Sequence, residues 1–260
     1  DHDWGPAFCL WLPDQELEAH GPRLREVLAG LPPMFEGLPV RVGDMLAGAR
    51  VGLLGVGAFY RRFTSLERPP ATLQEWLAIP EHALAACTNG TVFLDPMGAF
   101  SRFRKVLLGY YPEPVRLRKL EARCELAAQS GQYNLPRSLE RGDAVAALLA
   151  EAEFVRQAAM AAHLLDRRYG PFYKWMHRSL LDLATPGPAL HALLERIAGD
   201  RNPPAAVRIA RVEEACGLLA GELRRQGLTA TEDGFLLAHA RELRQRVDPV
   251  LLGLDPRVQG

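Results

Sequence analysis

The feature that most constrains the fold is a series of long amphipathic helix patterns that fills the chain from Pro114 onward. Apolar residues recur there at the three- and four-residue spacing of a helix, and Gly or Pro residues interrupt the pattern. The predicted helices cover residues 114–129, 143–168, 172–184, 188–198, 204–226 and 233–245. Because short loops join long helices, we expect antiparallel neighbours. The sequence therefore predicts an antiparallel helical bundle domain over residues 113–260.

The preceding part of the chain, residues 1–112, has a mixed pattern. Apolar and aromatic residues at 7–12 have strand length, and helical spacing follows over 15–28, with a break or restart expected at Gly21-Pro22. Further β-rich stretches lie at 39–43 and 50–56, which together indicate a small α/β domain. The predicted fold class is therefore α+β and mostly helical.

Two short helices are predicted between these β-rich stretches and the bundle. Thr72 and Glu75 have the spacing of a capping box, which marks a helix start. Pro80 begins a second helix that stops at Asn89-Gly90, a pair typical of a helix end.

Charge and cysteine content narrow the classes of partner and compartment. The chain has 31 basic and 31 acidic side chains, so its charge does not indicate a nucleic-acid partner or an acidic membrane surface. Its four cysteines form no C-x-x-C pair and are typical of buried thiols in a reducing compartment. No apolar run approaches the roughly 20 residues of a membrane span, and no signal peptide is evident. We therefore expect a cytoplasmic protein with no membrane partner.

The chain opens with Asp1-His2-Asp3, two carboxylates separated by one residue. In a strand, alternate residues face the same side, so Asp1 and Asp3 would present both carboxylates together. Paired carboxylates suit magnesium or manganese and can hold the two metals of phosphoryl or nucleotidyl transfer. Acidic residues before a strand are also typical of a solvated leader, and the spacing alone leaves both interpretations open. An HD-type phosphohydrolase would need further histidines and carboxylates on helices.

A second candidate site is the segment from Arg167 to Trp175, which packs three cations and four aromatic side chains into nine residues. One interpretation is a turn whose aromatic rings fill the bundle while the cations are solvated. The other is a site for a phosphate-bearing or planar ligand, with Lys174 as a point charge and an aromatic face for stacking. The glycines at 52, 55 and 57 do not make a phosphate-binding loop of the G-x-x-x-x-G-K type, because the required Lys and Ser or Thr are missing.

Several separated segments, taken together, resemble one bacterial family from residue 1 to about 185. They are Asp1 to Pro6, Trp76-Leu77 with Pro80, Gly90-x-Val92-Phe93-x-Asp95, Tyr110-Tyr111-Pro112, Arg141-Gly142-Asp143, and Leu164 to Trp175. The family is a domain-of-unknown-function family allied to the polymerase-β-type nucleotidyltransferases, the superfamily that includes the aminoglycoside nucleotidyltransferases.

The resemblance implies a nucleotidyltransferase-type mixed sheet at the N-terminus, followed by the helical bundle. It also implies a magnesium-dependent transfer of a nucleoside monophosphate from a nucleoside triphosphate to a hydroxyl of an unidentified acceptor. Asp1 and Asp3 would then be the catalytic metal ligands, and Tyr169 and Lys174 would line the acceptor site. Superfamily members carry a Gly-Ser loop about ten residues before the Asp-x-Asp strand, which the sequence from Asp1 onward does not include. The chain begins without a methionine, so we expect the natural N-terminus to lie upstream, where a Gly-Ser pair would favour a nucleotidyltransferase or its inactive relative and its absence a structural protein.

One departure from the superfamily pattern concerns the third metal-binding carboxylate, which also serves as general base. It is expected in the hydrophobic strand that follows, where Val51-Gly52-Leu53 offers glycine; Glu36 or Asp44 are the possible replacements. Three functions therefore stay open: an active nucleotidyltransferase, a catalytically inactive relative that binds a nucleotide or another ligand as a sensor, and a structural helical protein.

Overall fold

The computed structural model describes residues 8–40, 52–200 and 203–256 and shows a mostly helical α+β protein. The chain divides into two compact units. The first comprises residues 1–70 and 87–109, and the second comprises residues 71–86 and 110–260. The predicted metal ligands Asp1 and Asp3, and the possible replacement Asp44, lie outside the described residues.

The first unit contains two small sheets and short helices. Its elements are β1 (Cys9–Leu12), α1 (Asp14–Ala29), β2 (Met34–Phe35), β3 (Leu38–Pro39), β4 (Gly52–Gly55), α2 (Val56–Thr64) and α5 (Ala99–Leu108). Strands β1 and β4 are parallel, with Cys9 opposite Gly52 and Leu12 opposite Gly55. A parallel pair requires a crossover connection, and α1 lies in that connection. Strands β2 and β3 form an antiparallel hairpin.

Aromatic side chains form the core of the first unit. The rings of Tyr60 and Phe103 stack with centroids 3.7 Å apart, and those of Trp11 and Phe100 lie 4.3 Å apart. The Tyr60 hydroxyl donates to the Phe100 carbonyl at 3.2 Å. Aromatic packing of this kind lets a small sheet bury enough apolar area to be stable.

The second unit is helical. Its elements are α3 (Leu73–Ala78), α4 (Glu81–Thr88, up to Ala86), α6 (Glu113–Ala127), a π-helical segment (Ala128–Asn134), α7 (Leu135–Glu140), α8 (Ala144–Leu165), α9 (Tyr173–Ser179), a 3₁₀ turn (Leu180–Asp182), α10 (Gly187–Gly199), α11 (Ala205–Arg225), α12 (Leu236–Gln245) and α13 (Pro249–Leu252). The capping box predicted at Thr72 and Glu75 is confirmed, since each side chain bonds the other residue's backbone N–H.

Helix α6 is the centre of this unit. It packs against α8 and α12, and it also contacts α3 and α13. Every residue from Val115 to Cys124 is buried, so the helix has no solvent-facing side along these ten positions. Five of these ten buried positions are charged: Arg116, Arg118, Lys119, Glu121 and Arg123. Buried charges require partners, and their partners decide what each part of this helix does.

Two predicted chain breaks are wrong. Helix α1 continues through Gly21-Pro22, where the ring of Pro22 is on the exposed side and the lost hydrogen bond is tolerated there. At Ser130-Gly131 the chain widens into a π-helical segment instead of ending. A Cβ on Gly131 would lie 2.4 Å from Cδ2 of Phe154, so glycine there permits the close approach of α8. The predicted break at Arg141-Gly142 is confirmed by the end of α7 and the positive φ of Gly142.

Within the described residues, none of the helices combines the length and the apolar character that crossing a membrane would require.

Candidate functional site

The first predicted site is the metal site, which requires Asp1, Asp3 and a third carboxylate. In β4, Gly52 lies opposite Cys9 with a φ of +87°, so the strand position expected to carry a third carboxylate has no side chain. Glu36 lies in the turn of the β2–β3 hairpin, is exposed and has a φ of +48°. In the described part of the chain, no group of three His, Cys, Asp or Glu side chains is placed to hold a metal ion.

The second predicted site falls in the segment 166–172, which connects α8 to α9. Tyr169 is half-buried, and its ring lies 4.9 Å from the ring of Tyr110 and 5.0 Å from that of Tyr111, perpendicular to the latter. Lys174 is exposed in the first turn of α9, next to the exposed rings of Tyr173 and Trp175. The structure therefore brings Tyr169 into a group of tyrosines, whereas Lys174 lies on the surface.

Beneath these tyrosines lies a buried group of charges that sequence reasoning missed. We call it the Lys119 cluster; it consists of Glu81, Tyr111, Lys119, Arg123 and Gln157. Arg123 donates from Nη2 to Glu81 Oε1 at 2.8 Å and from Nη1 to Gln157 Oε1 at 3.0 Å. Lys119 Nζ lies 3.9 Å from the same Glu81 oxygen and 5.4 Å from the centre of the Tyr111 ring. All five residues are at most 3% exposed.

Local structure explains why these side chains meet. Lys119 and Arg123 are four residues apart on α6 and so share one face of that helix. Glu81 begins α4 directly after Pro80, and Gln157 lies on α8. The Gln157 side chain is oriented by a further hydrogen bond, which its Nε2 donates to Glu153 at 2.7 Å. Tyr111 precedes α6. The cluster is therefore built from three helices and the lead-in to one of them.

The hydrogen bonds of the cluster are incomplete. Five buried side-chain nitrogen or oxygen atoms in the described residues have no hydrogen-bond partner within the protein, and four of them belong here: Glu81 Oε2, Tyr111 Oη, Lys119 Nζ and Arg123 Nε. Each such atom costs about 1–3 kcal/mol. Four together approach the 5 to 15 kcal/mol or so by which whole domains are stable. These atoms can therefore form hydrogen bonds with a polar guest, which includes water.

The charges of the cluster do not cancel. Burial by itself raises the pKa of the Glu81 carboxyl, but the Arg123 and Lys119 cations hold that pKa below its ordinary value, so Glu81 is ionised. Burial lowers the pKa of Lys119 to about 8. The Glu81 carboxylate opposes this shift by raising the pKa, and the Arg123 cation adds to it by lowering the pKa further. At neutral pH the three ionised groups carry one excess positive charge. Burial also raises the pKa of Tyr111, so its hydroxyl stays neutral.

The segment 166–172 covers the cluster and is held at both ends. His163, at the end of α8, contacts the Ala159 carbonyl through Nδ1 and the Ser179 hydroxyl through Nε2, each at 2.8 Å. Arg168 donates to the Asp182 carbonyl at 2.7 Å. A Cβ on Gly170 would lie 2.6 Å from Met160 Sδ and 3.5 Å from Glu81 Oε2, so glycine lets the backbone lie directly against the cluster.

One sequence signal could have revealed this cluster. Arg116, Lys119 and Arg123 form a cationic stripe at helical spacing within a helix flanked by other helices, where an apolar stripe is the ordinary pattern. Spacing predicts the stripe, but it does not show that this face is buried or that Glu81 meets it from α4.

Comparison with known proteins gives one match. Searches of curated proteins and of solved structures found no similar protein. Residues 76–176 match the model of a family described as Domain of unknown function (DUF4037), and this span, from Trp76 to Met176, contains every residue of the Lys119 cluster and the segment that covers it.

Proposed function

We propose that this protein is a magnesium-dependent nucleotidyltransferase that moves a nucleoside monophosphate from a nucleoside triphosphate to a hydroxyl group of an acceptor. The observation that carries the proposal is the Asp1-x-Asp3 pair shortly before β1, in a chain whose β1 and β4 form a parallel pair with α1 in the connection. The resemblance of the separated motifs to a family allied to nucleotidyltransferases supports the same reaction.

The donor set fits the metal, because carboxylate oxygens are the ligands that magnesium prefers. Asp1 and Asp3 would hold magnesium, which when bound neutralises phosphate charge and activates the attacking oxygen. Tyr169 would contact the acceptor from the tyrosine group, and the exposed Lys174 would attract its phosphate or carboxylate groups. Manganese has the same oxygen preference and would substitute.

A catalytically inactive, ligand-binding relative is the second candidate function. It is favoured by Gly52, which stands in β4 where the superfamily pattern requires a carboxylate to complete the metal site and to accept a proton. In that case the protein would bind a nucleotide or another ligand without turnover.

The test combines binding and turnover. Calorimetric titration with Mg-ATP and Mg-GTP measures nucleotide binding, and release of pyrophosphate in the presence of a panel of hydroxyl-bearing acceptors measures transfer. We expect Asp1→Asn and Asp3→Asn each to lower pyrophosphate release by more than about a hundredfold, because even the residues that orient metal ligands contribute 10- to 100-fold.

Glu18→Gln is the matched control, since Glu18 is an exposed carboxylate on α1 and is not a predicted ligand. It should retain turnover. Metal-dependent nucleotide binding without pyrophosphate release would favour the sensor, and full activity of Asp3→Asn would contradict the assignment of the metal ligands.

A further inference from the structure

We propose that the Lys119 cluster binds a protonated phosphate group, either free inorganic phosphate or the phosphate monoester of a small ligand. This site is separate from the proposed nucleotidyl transfer, because it requires neither Asp1, Asp3 nor a metal ion. It rests on the donors and the acceptor that the cluster leaves without hydrogen bonds in the interior of the second unit.

The donors favour an anion with several acceptor oxygens. Lys119 Nζ, Arg123 Nε and Tyr111 Oη are buried, have no hydrogen-bond partner in the protein, and come from three different side chains. A tetrahedral phosphate presents acceptor oxygens in several directions and can receive such separate bonds. The excess positive charge of the cluster favours an anion over a neutral guest for the same site.

The Arg123 guanidinium retains donors for an anion. In Arg123, Nη2 is already bonded to Glu81 and Nη1 to Gln157. These bonds use two of the five N–H donors of a guanidinium, so Nε and a second N–H on each terminal nitrogen are left for the oxygens of an anion.

Glu81 adds a requirement for a proton on the ligand. Its Oε2 is buried without a hydrogen-bond partner, and its carboxyl group is ionised, so this atom can only accept. An unprotonated oxyanion would place a negative oxygen against it, whereas the O–H of hydrogen phosphate or of a monoester monoanion can donate to it. The second pKa of a phosphate monoester, about 6, supplies such a proton close to neutral pH.

The covering segment lies between the cluster and the surface. Residues 166–172 form no helix or strand, and Gly170 brings its backbone beside Glu81 Oε2. Tyr169 and Tyr110 are half-buried above Tyr111, so they extend from the buried donors to the surface. The exposed Arg167 lies on this same segment and is paired with Glu113 at 2.7 Å.

The experiment is isothermal titration of the full chain with sodium phosphate and, separately, with sodium sulfate at equal ionic strength and pH 6.5, without divalent metal. Sulfate has the shape of phosphate but no proton at this pH. We expect saturable binding of phosphate and at least about tenfold weaker binding of sulfate, the size of one lost charge-assisted hydrogen bond. Equal affinity for the two anions, or no saturable binding of phosphate, would overturn the proposal.

Two variants locate the site. Lys119→Met removes the ammonium group but keeps the length of the side chain, and it should weaken phosphate binding by about tenfold or more. Lys105→Met is the control, because it removes one exposed lysine charge from α5 in the first unit. It should bind phosphate like the wild-type protein, and an equal loss in both variants would show non-specific charge attraction and contradict the site.

A third variant protects the test against misfolding. Tyr111→Phe removes only a hydroxyl that has no hydrogen-bond partner, so the fold should be retained, and phosphate binding should fall about three- to tenfold. Unchanged binding in Tyr111→Phe together with unchanged binding in folded Lys119→Met would place phosphate elsewhere and refute the assignment.

A titration with glycerol 3-phosphate distinguishes free phosphate from a phosphate monoester as the ligand. Tighter binding than inorganic phosphate identifies an ester ligand, and weaker binding identifies free phosphate.

Discussion

Helix α6 carries two groups of buried charge that differ in how completely they are bonded. In the first, Arg118 donates from Nε to the Leu251 carbonyl at 3.2 Å, from Nη2 to the Leu254 carbonyl at 2.9 Å, and from Nη1 to Glu121. Glu121 also accepts from Arg244 at 3.2 Å. In the second, the Lys119 cluster, four polar atoms have no hydrogen-bond partner in the protein.

The difference separates a structural network from a binding site on the same helix. The Arg118 group uses its donors to hold the C-terminal residues against α6, so its hydrogen bonds stabilise the fold. The Lys119 cluster is buried to a similar degree but leaves four polar atoms without hydrogen bonds, at a cost in stability. Such costs are concentrated at functional sites, where a ligand recovers them.

The largest effect is expected for Arg118→Met. This change leaves Glu121 with one partner and removes the donors of two carbonyl groups, so the free energy of unfolding should fall by about 3–5 kcal/mol. Urea unfolding followed by circular dichroism measures it. Lys119→Met should not lower the free energy of unfolding, because Glu81 keeps Arg123 and the buried ammonium group that is removed makes no hydrogen bond, only a 3.9 Å ion pair with Glu81. Similar losses in the two variants would erase the distinction between the groups.

Glu81→Gln should be nearly as costly in the wild-type protein, because it leaves two buried cations without a carboxylate. We expect a loss of about 3–5 kcal/mol, and a loss smaller by about 1–2 kcal/mol in the Lys119→Met background, where one cation remains. A double-mutant cycle of urea unfolding measures this coupling. A coupling energy near zero would mean that Lys119 and Glu81 do not act on each other.

The pH dependence of stability gives a smaller effect with a definite sign. Burial lowers the pKa of Lys119 from 10.5 to about 8, with Glu81 opposing and Arg123 adding to the shift. Between these pH values the unfolded chain binds more protons than the folded protein, so this group increases stability as pH rises. Relative to Lys119→Met, the wild-type protein should gain about 1 kcal/mol between pH 7 and 9.

Parallel pH profiles of the two proteins in urea provide the measurement. Buried tyrosines and cysteines, whose pKa values are raised, oppose this gain equally in both proteins and cancel in the difference. A wild-type profile parallel to that of Lys119→Met would show that Lys119 is not destabilised by burial.

The smallest effect is expected for a pair of tyrosines. Tyr60→Phe removes a hydroxyl that donates to the Phe100 carbonyl and should cost about 1 kcal/mol. Tyr111→Phe removes a hydroxyl without a hydrogen-bond partner, so stability should change by less than about 0.5 kcal/mol. Thermal unfolding compares both variants with the wild-type protein. A larger loss for Tyr111→Phe would mean that its hydroxyl is bonded in the folded protein.

Much of the helical unit follows from the sequence pattern. The predicted helix over 114–129 corresponds to α6, that over 188–198 to α10 and that over 204–226 to α11, because long amphipathic repeats with Gly or Pro between them depend mainly on local residues. Helices α2 and α5 were not predicted, because both are short and their positions depend on the aromatic packing of Tyr60, Phe100 and Phe103.

The candidate site was less predictable. The segment from Arg167 to Trp175 was predicted as a candidate site, and Tyr169 in this segment contacts the tyrosines above the Lys119 cluster. Lys174, the cation predicted to bind a ligand, lies on the surface, whereas Lys119 is buried, because burial depends on which helix becomes central. Glu81 is 38 residues before Lys119, a contact that no local pattern contains.

The most direct test of the central claim is the effect of phosphate on unfolding in wild-type and Lys119→Met proteins. At a phosphate concentration about 100 times the dissociation constant, the wild-type free energy of unfolding should rise by about 2.7 kcal/mol. Lys119→Met should be at least as stable without phosphate and, with phosphate binding weakened about tenfold or more, should gain no more than about half of this increment from the same concentration. Equal gains in the two proteins, or no gain in the wild-type protein, would contradict the view that the Lys119 cluster is a ligand site rather than a structural network.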